Sequence, residues 1–215
     1  MFCQKCGNKV NEGDRFCASC GAPVKLPINN EVKKIQLGGV EMSAEDMRQY
    51  CIKNHYLKTD NFDTFHELNV KIYKGMFESL INEVQNDETP ILCFVGAYDY
   101  KNVLSNAGER TYLLTNKRII SAGFYSSTLA TFNPLNNFPI FYKSFISKNP
   151  KFKVSALYLR DIIDVTENMV SNHDVITFNT AKDSINVLFY MQNVTHRLCD
   201  QINAVIKEYR EQNHQ

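Results

Sequence analysis

Four of the seven cysteines stand in two C-x-x-C pairs, Cys3 with Cys6 and Cys17 with Cys20, and ten residues separate the pairs. A glycine, Gly7 or Gly21, directly follows each pair. A C-x-x-C turn brings two thiolates to one metal, and two such turns facing each other across a hairpin complete a tetrahedral site for Zn²⁺ with sulfur at about 2.3 Å. The glycines have a physical role, because the chain must turn sharply there and glycine reaches positive φ without a Cβ penalty. Four thiolates leave no open coordination position, so the expected ion is structural and not catalytic, one per chain. The segment has few apolar residues and needs the metal, which contributes on the order of 10 kcal/mol or more to folding. A redox dithiol would sit at a helix start in an α/β setting that the surrounding sequence lacks, and a disulfide is disfavoured in a reducing compartment.

No other residues form a chemical signature. There is no G-x-S-x-G, no glycine-rich phosphate loop and no H-E-x-x-H. His66-Glu67, His173-Asp174 and His196 lie apart from any candidate nucleophile, and Cys51, Cys93 and Cys199 are scattered singly among apolar residues, where a thiol behaves as a small hydrophobe. The expectation is a protein that is not an enzyme. Nothing like a basic-then-apolar leader opens the chain, and no apolar run approaches the roughly 20 residues that span a bilayer. With the scattered cysteines, this reads as a cytoplasmic protein.

Net charge is +1 over 215 residues, which gives no global electrostatic argument for nucleic-acid binding. Residues 1–25 carry four Lys/Arg against two acids, residues 26–89 seven against eleven, and residues 90–215 thirteen against ten. None of these is a dense field of one sign.

The elements that must position these residues follow from periodicity. The cysteine module spans 1–25. Residues 26–62 read as a linker containing Pro27 and Gly38-Gly39, with one short helix from about Ser43 to His55, where Ser43 and Asp46 make a weaker relative of the capping box. A longer helix follows the candidate cap Asp63, with Phe65, Leu68, Ile72, Met76 and Leu80 in one stripe and Tyr73, Phe77, Ile81 and Val84 beside it. Gly75 in its middle costs about 1 kcal/mol relative to alanine, for which close packing is a reason. From Pro90 the period becomes two, giving strands near 91–98, 110–114, 118–124, 152–157, 162–167, 174–179 and 184–190. The clearest hairpin turns at Thr115-Asn116-Lys117, with Asn116 suited to positive φ. A final helix starts around Asn193, with Val194, Leu198, Ile202, Val205 and Tyr209 at helical spacing. The fold class is α+β: about seven strands in a small barrel or sandwich closed by a C-terminal helix.

Phe2-Cys3-Gln4-Lys5-Cys6-Gly7 and Phe16-Cys17-Ala18-Ser19-Cys20-Gly21 closely resemble the short zinc-ribbon domains at the N-termini of many bacterial and archaeal proteins, where Phe-Cys-x-x-Cys-Gly recurs twice. That ribbon is fused to diverse partners, so the resemblance implies metal binding and little about purpose. The stretch Glu109-Arg110-Thr111-Tyr112-Leu113-Leu114-Thr115-Asn116-Lys117-Arg118-Ile119-Ile120 resembles the signature hairpin of bacterial pleckstrin-homology-like (PH-like) domains. The helix running into Asn86-Asp87-Glu88, the first strand at Ile91 and the terminal helix agree with that family. The resemblance implies a PH-like domain within 63–215 and a bacterial or phage source.

The chain departs from the family pattern at about 124–152, where Phe124, Tyr125, Phe132, Phe138, Phe141, Tyr142, Phe145 and Phe152 stand among Pro134, Pro139 and Pro150. Lys143, Lys148, Lys151 and Lys153 are interleaved. A connection this long inside a compact domain is functional or carries structure of its own. Either it is an extra hairpin or lid over the core, or Phe138, Phe141, Tyr142 and Lys143 face a protein partner or a membrane surface. Lys117 and Arg118 have two readings as well: a basic hairpin that binds phosphate, as in lipid-binding relatives, or a solvated turn lysine beside an arginine paired with a carboxylate such as Glu109 or Asp161. The expected function is a zinc-binding, non-enzymatic adaptor whose PH-like domain recognises a protein partner or the membrane. The alternative is a nucleic-acid-binding regulator in which Lys5, Lys9, Arg15 and Lys25 of the zinc module touch phosphates. No small-molecule substrate is expected.

Overall fold

Two glycines make the first turn of the larger unit. Gly38 and Gly39 both have positive φ, 56° and 85°, as a two-residue hairpin turn requires. They join β1 (Ile35–Leu37) to β2 (Val40–Met42) with Leu37 opposite Val40. The computed structural model describes residues 3, 5–11, 16–22, 32–57, 66–99, 108–124, 152–170, 173–189 and 193–213. The chain divides into two compact units, Met1–Val32 and Lys33–Gln215.

This hairpin corrects the expectation of a linker over 26–62. From residue 33 the chain belongs to the larger unit, and Leu37, Ala44, Met47, Cys51, Tyr56 and Leu57 are buried in that unit's main core. Strands of three residues are too short to show a period of two, and Gly38-Gly39 suggests a loop unless its ends are seen to pair.

The short helix α1 (Ala44–Lys53) starts where expected. Ser43 accepts from the Asp46 N–H while the Asp46 carboxylate accepts from the Ser43 N–H at 2.8 Å, a full capping box. The helix ends at Asn54, and His55 takes φ 61°, folding Tyr56 and Leu57 back so that both N–H groups donate to the Cys51 carbonyl. The long helix α2 covers His66–Glu83 and buries Ile72, Tyr73, Met76, Phe77, Leu80 and Ile81, the stripe read from periodicity. The expected cap at Asp63 and stripe member Phe65 lie outside the described residues. A Cβ at Gly75 would stand 2.7 Å from the Phe152 ring, so the glycine admits close packing of α2 on the sheet.

All seven expected strands are present: β3 (Pro90–Asp99), β4 (Gly108–Thr115), β5 (Arg118–Phe124), β6 (Phe152–Tyr158), β7 (Ile162–Val170), β8 (His173–Thr180) and β9 (Ser184–Phe189). They pair antiparallel in the order β6-β5-β4-β3-β9-β8-β7. This is a four-stranded meander and a three-stranded meander, linked where the last three residues of β3 also pair with β9. The terminal helix α3 (Thr195–Asn213) buries Leu198, Ile202 and Ile206. Four strands, three strands and a closing C-terminal helix make the PH-like arrangement that the hairpin resemblance implies.

Register shows what each face of the first meander covers. Cys93, Leu113, Ile120 and Ala156 align across it, as do Val95, Thr111, Ala122 and Val154. This face meets the helices, because Cys93 touches Cys51 of α1, and Phe152, in phase with it, touches Gly75 of α2. The opposite face carries Leu92, Phe94, Tyr112, Leu114 and Ile119. There Phe94 stacks on Tyr112 with centroids 4.8 Å apart and also meets Phe189 of β9, contacts of about 0.5–1.5 kcal/mol beyond area burial.

β7 is an edge strand, and α3 covers part of that edge. Arg210 donates to the Ile162 and Ile163 carbonyls at 2.7 Å, and Asn203 donates to that of Val165 at 3.0 Å. Side-chain donors on the carbonyls of an edge strand blunt it as a template for another chain. Among the described residues, no helix is long and apolar enough to cross a membrane.

Candidate metal centre

The two halves of the cysteine module are built alike. In the first, the Gly7 N–H donates to the Cys3 carbonyl at 2.9 Å and the Cys3 N–H to the Asn8 carbonyl at 2.9 Å. In the second, Gly21 donates to Cys17 and Cys17 to Ala22, both at 2.8 Å. Gly7 and Gly21 have φ 73° and 66°, so each knuckle closes through a left-handed residue, as read from the sequence. Cys3 and Cys17 are buried with Val10, and Ala22 packs alongside.

The four sulfurs converge. Cys3 Sγ lies 3.6 Å from Cys20 Sγ, Cys6 Sγ lies 3.6 Å from Cys17 Sγ, and all four are within 4.8 Å of one another. A tetrahedral ion with sulfur at about 2.3 Å requires sulfur–sulfur edges near 3.8 Å, so one zinc fits this cage. The backbone prepares the thiolates. N–H groups of Cys6 and Lys5 draw the Cys3 thiol down to about 6, and those of Ser19 and Cys20 lower Cys17 in the same way. Cys6 differs: the Asn8 N–H pulls its thiol down, but the sulfur of Cys20, burial and the sulfurs of Cys17 and Cys3 together push it up to about 12. Four thiols this close cannot all ionise without a cation among them, and a divalent ion supplies that charge.

The sequence of residues 2–24 matches the family of the zinc-ribbon domain. This segment is a zinc ribbon. The ribbon carries a structural zinc site made by Cys3, Cys6, Cys17 and Cys20, the ligands read from spacing. No curated protein sequence matches the chain at a significant level. Two similar solved structures are the hSac2 domain from the human phosphoinositide phosphatase Sac2 and an N-terminally truncated linker-DH/PH fragment of p115-RhoGEF. The first is 10% identical with a TM-score of 0.32, covering 69% of this chain and 82% of the other. The second is 11% identical with a TM-score of 0.34, covering 79% and 39%. The PH-like assignment of the larger unit rests on its own strand order.

Away from the ribbon, the β4–β5 turn places Lys117 and Arg118 in different surroundings. Arg118 is buried, and its Nε and Nη2 reach the two Glu88 carboxylate oxygens at 2.5 and 3.0 Å. Nη2 also donates to the Glu83 carbonyl, the last residue of α2, at 2.9 Å. The pairing with Glu109 or Asp161 expected for Arg118 is therefore corrected to Glu88. A bidentate pair holds the guanidinium, and the structure uses Arg118 to fasten the end of α2 to the sheet, not to face a headgroup. Lys117 is partly exposed and ion-paired with Asp87. Asn116 does not adopt the positive φ expected of it. Instead its N–H donates to the Thr89 carbonyl at 3.0 Å and its side-chain oxygen accepts from the Thr89 N–H at 2.8 Å. Within the turn, Thr115 Oγ1 accepts from the N–H groups of Lys117 and Arg118 and donates to the Arg118 carbonyl.

Phe138, Phe141, Tyr142 and Lys143 lie outside the described residues. The segment's two ends are the end of β5 and the start of β6, and Phe124 pairs with Phe152 across those strands. Glu88 was missed as a functional neighbour, although Asn86-Asp87-Glu88 was already notable for its place before the first strand. Also missed were the knuckle N–H groups that prepare the thiolates, which the Cys-x-x-Cys-Gly spacing does signal.

Proposed function

We propose that this chain is a non-enzymatic cytoplasmic adaptor of bacterial type, in which a zinc ribbon and a PH-like domain serve recognition, and that the PH-like domain binds a protein partner. The burial of Arg118 against Glu88 carries this choice over a phosphoinositide surface. With Arg118 committed to Glu88 and Lys117 paired to Asp87, the β4–β5 hairpin offers no free pair of cations for a phosphorylated headgroup. Recognition is assigned to the aromatic segment at 124–152, with Phe138, Phe141, Tyr142 and Lys143 as its contact residues: the six aromatics between the strand residues Phe124 and Phe152 exceed what a solvated loop holds, and the lysines keep such a surface soluble when free.

The test compares capture from host lysate by the full chain, by residues 33–215, and by the full chain carrying Phe138→Ala and Phe141→Ala. Liposome and nucleic-acid binding at physiological salt are measured beside it. Capture that survives removal of the ribbon and is lost in the double variant, with melting unchanged, supports the assignment. Submicromolar, sequence-selective nucleic-acid binding would overturn it in favour of the regulator, and liposome binding lost in the same variant would move the surface to the membrane. A melting loss in the double variant, about 3–5 kcal/mol per buried aromatic, with binding intact would make the segment structural.

A further inference from the structure

Of the three cysteines outside the ribbon, two face each other. Cys51 on α1 and Cys93 on β3 are both fully buried, with Sγ atoms 3.8 Å apart. They are 42 residues apart in sequence. Cys93 Sγ also lies 3.9 Å from the Met47 carbonyl on the preceding turn of α1, so the contact is between the helix and the sheet. Cys199 is elsewhere, its Sγ 3.5 Å from the Val165 carbonyl. We infer that Cys51 and Cys93 are a redox latch, a dithiol that a small-molecule disulfide oxidises to a bond tying α1 to β3.

The chemistry is ordinary exchange. A thiolate of one cysteine attacks the small-molecule disulfide and expels one thiol; the second cysteine then attacks the mixed disulfide and expels the other. The two cysteines lose two hydrogens and the oxidant leaves as two thiols. The sulfurs are at van der Waals contact and need approach by less than a bond length plus a side-chain rotation to reach about 2.05 Å. In the closed structure the reaction is held back, because burial raises the Cys51 thiol well above its ordinary range and the thiolate is the nucleophile. It proceeds when α1 lifts. A helix of ten residues is too short to persist alone in water, so α1 owes its order to docking on the sheet and α2. When it lifts it exposes Cys93. The bond, once formed, ends that opening. Under reducing conditions the segment opens and closes, and under oxidation it is locked closed.

The experiment uses the full, zinc-loaded chain equilibrated with mixtures of oxidised and reduced glutathione, then quenched, alkylated and mapped by peptide mass. The expected result is a Cys51–Cys93 cross-linked peptide two hydrogens lighter than its reduced parts, with Cys199 alkylated and zinc retained. The melting temperature of the larger unit should rise by roughly 5 °C or more and return on addition of a thiol reductant. Cys51→Ala and Cys93→Ala should each abolish the rise; if either variant fails to fold, the wild-type peptide map alone decides. The inference is overturned if both thiols stay free across the glutathione range, if each carries glutathione without joining, or if Cys51 or Cys93 joins a ribbon cysteine instead.

Discussion

The ribbon and the PH-like unit keep their order by different means. In the ribbon the described buried apolar residues are Cys3, Val10 and Cys17, with Ala22 beside them, and two of these are metal ligands. In the larger unit the core runs unbroken from Leu37 of β1 through α1, α2 and both meanders to Ile206 of α3. One is organised by four sulfurs around an ion, the other by apolar surface removed from water. Damage to one should therefore leave the other standing.

The largest effect is expected at the metal. Cys17→Ser, or a strong chelator, should unfold the ribbon, because structural zinc supplies on the order of 10 kcal/mol of its folding free energy. The cooperative melting of residues 33–215 should shift by less than about 0.5 kcal/mol, as for sites with no shared partners. Elemental analysis of protein purified under reducing conditions should find one zinc per chain. A common unfolding transition for both units after zinc removal would break the comparison.

Next is the Arg118–Glu88 pair, whose side chains are 8% and 1% exposed. Arg118→Ala leaves a buried carboxylate without its cation and should cost about 3–5 kcal/mol. Replacing both, Arg118→Met with Glu88→Leu, should recover most of the loss, because an apolar pair carries no stranded charge. Thermal melts of the three variants read this directly, and zinc content should be the same in all of them. If Arg118→Ala were near neutral in stability and abolished partner binding, the hairpin would be a recognition surface after all.

Two smaller effects lie at the helix–sheet boundary. Ser43→Ala removes the α1 cap and should cost about 1 kcal/mol. Gly75→Ala gains about 1 kcal/mol of helix propensity and loses about 1–3 kcal/mol to overpacking against Phe152. The net should be a modest loss, reversed to a gain when Phe152 is shortened to leucine in the same chain. A stabilised single variant in equilibrium unfolding would show that the Phe152 ring simply turns aside.

These cases also show where the sequence was readable. Metal ligands, strands and helical stripes were legible because each is local: two C-x-x-C-Gly knuckles, runs of Val, Ile, Tyr and Thr at period two, apolar residues at three and four. Ser43 and Asp46 were legible as a cap for the same reason. Glu88 as the partner of Arg118 was not, because the two are 30 residues apart and meet only when α2 lies across the hairpin. The β1–β2 hairpin was hidden by strands of three residues. The residue type of Asn116 points to a turn role, while the bond that fixes its side chain comes from Thr89, 27 residues earlier.

The smallest effect concerns acid and base. In the ribbon, thiolates hold the ion, so protons compete with zinc and lowering the pH weakens the unit. In the larger unit His196 of α3 behaves the other way. Its Nδ1 lies 3.0 Å from a Glu167 carboxylate oxygen on β7, and its Nε2 lies 3.7 Å from Asp200. The Glu167 hydrogen bond first, then the charges of Glu167 and Asp200, raise its pKa above the ordinary 6.5. A raised pKa means the folded state holds the proton more tightly than the unfolded chain. The contribution is therefore fully present below about pH 6.5 and is lost as pH rises through the folded value. All the groups concerned are exposed, so the effect on stability is slight and is screened by salt. It is read best by NMR titration of the His196 ring. Glu167→Gln should bring the midpoint down towards 6.5 and remove most of its salt dependence, while leaving zinc content untouched. An unchanged midpoint in that variant would show that the α3–β7 contact does not hold the charge.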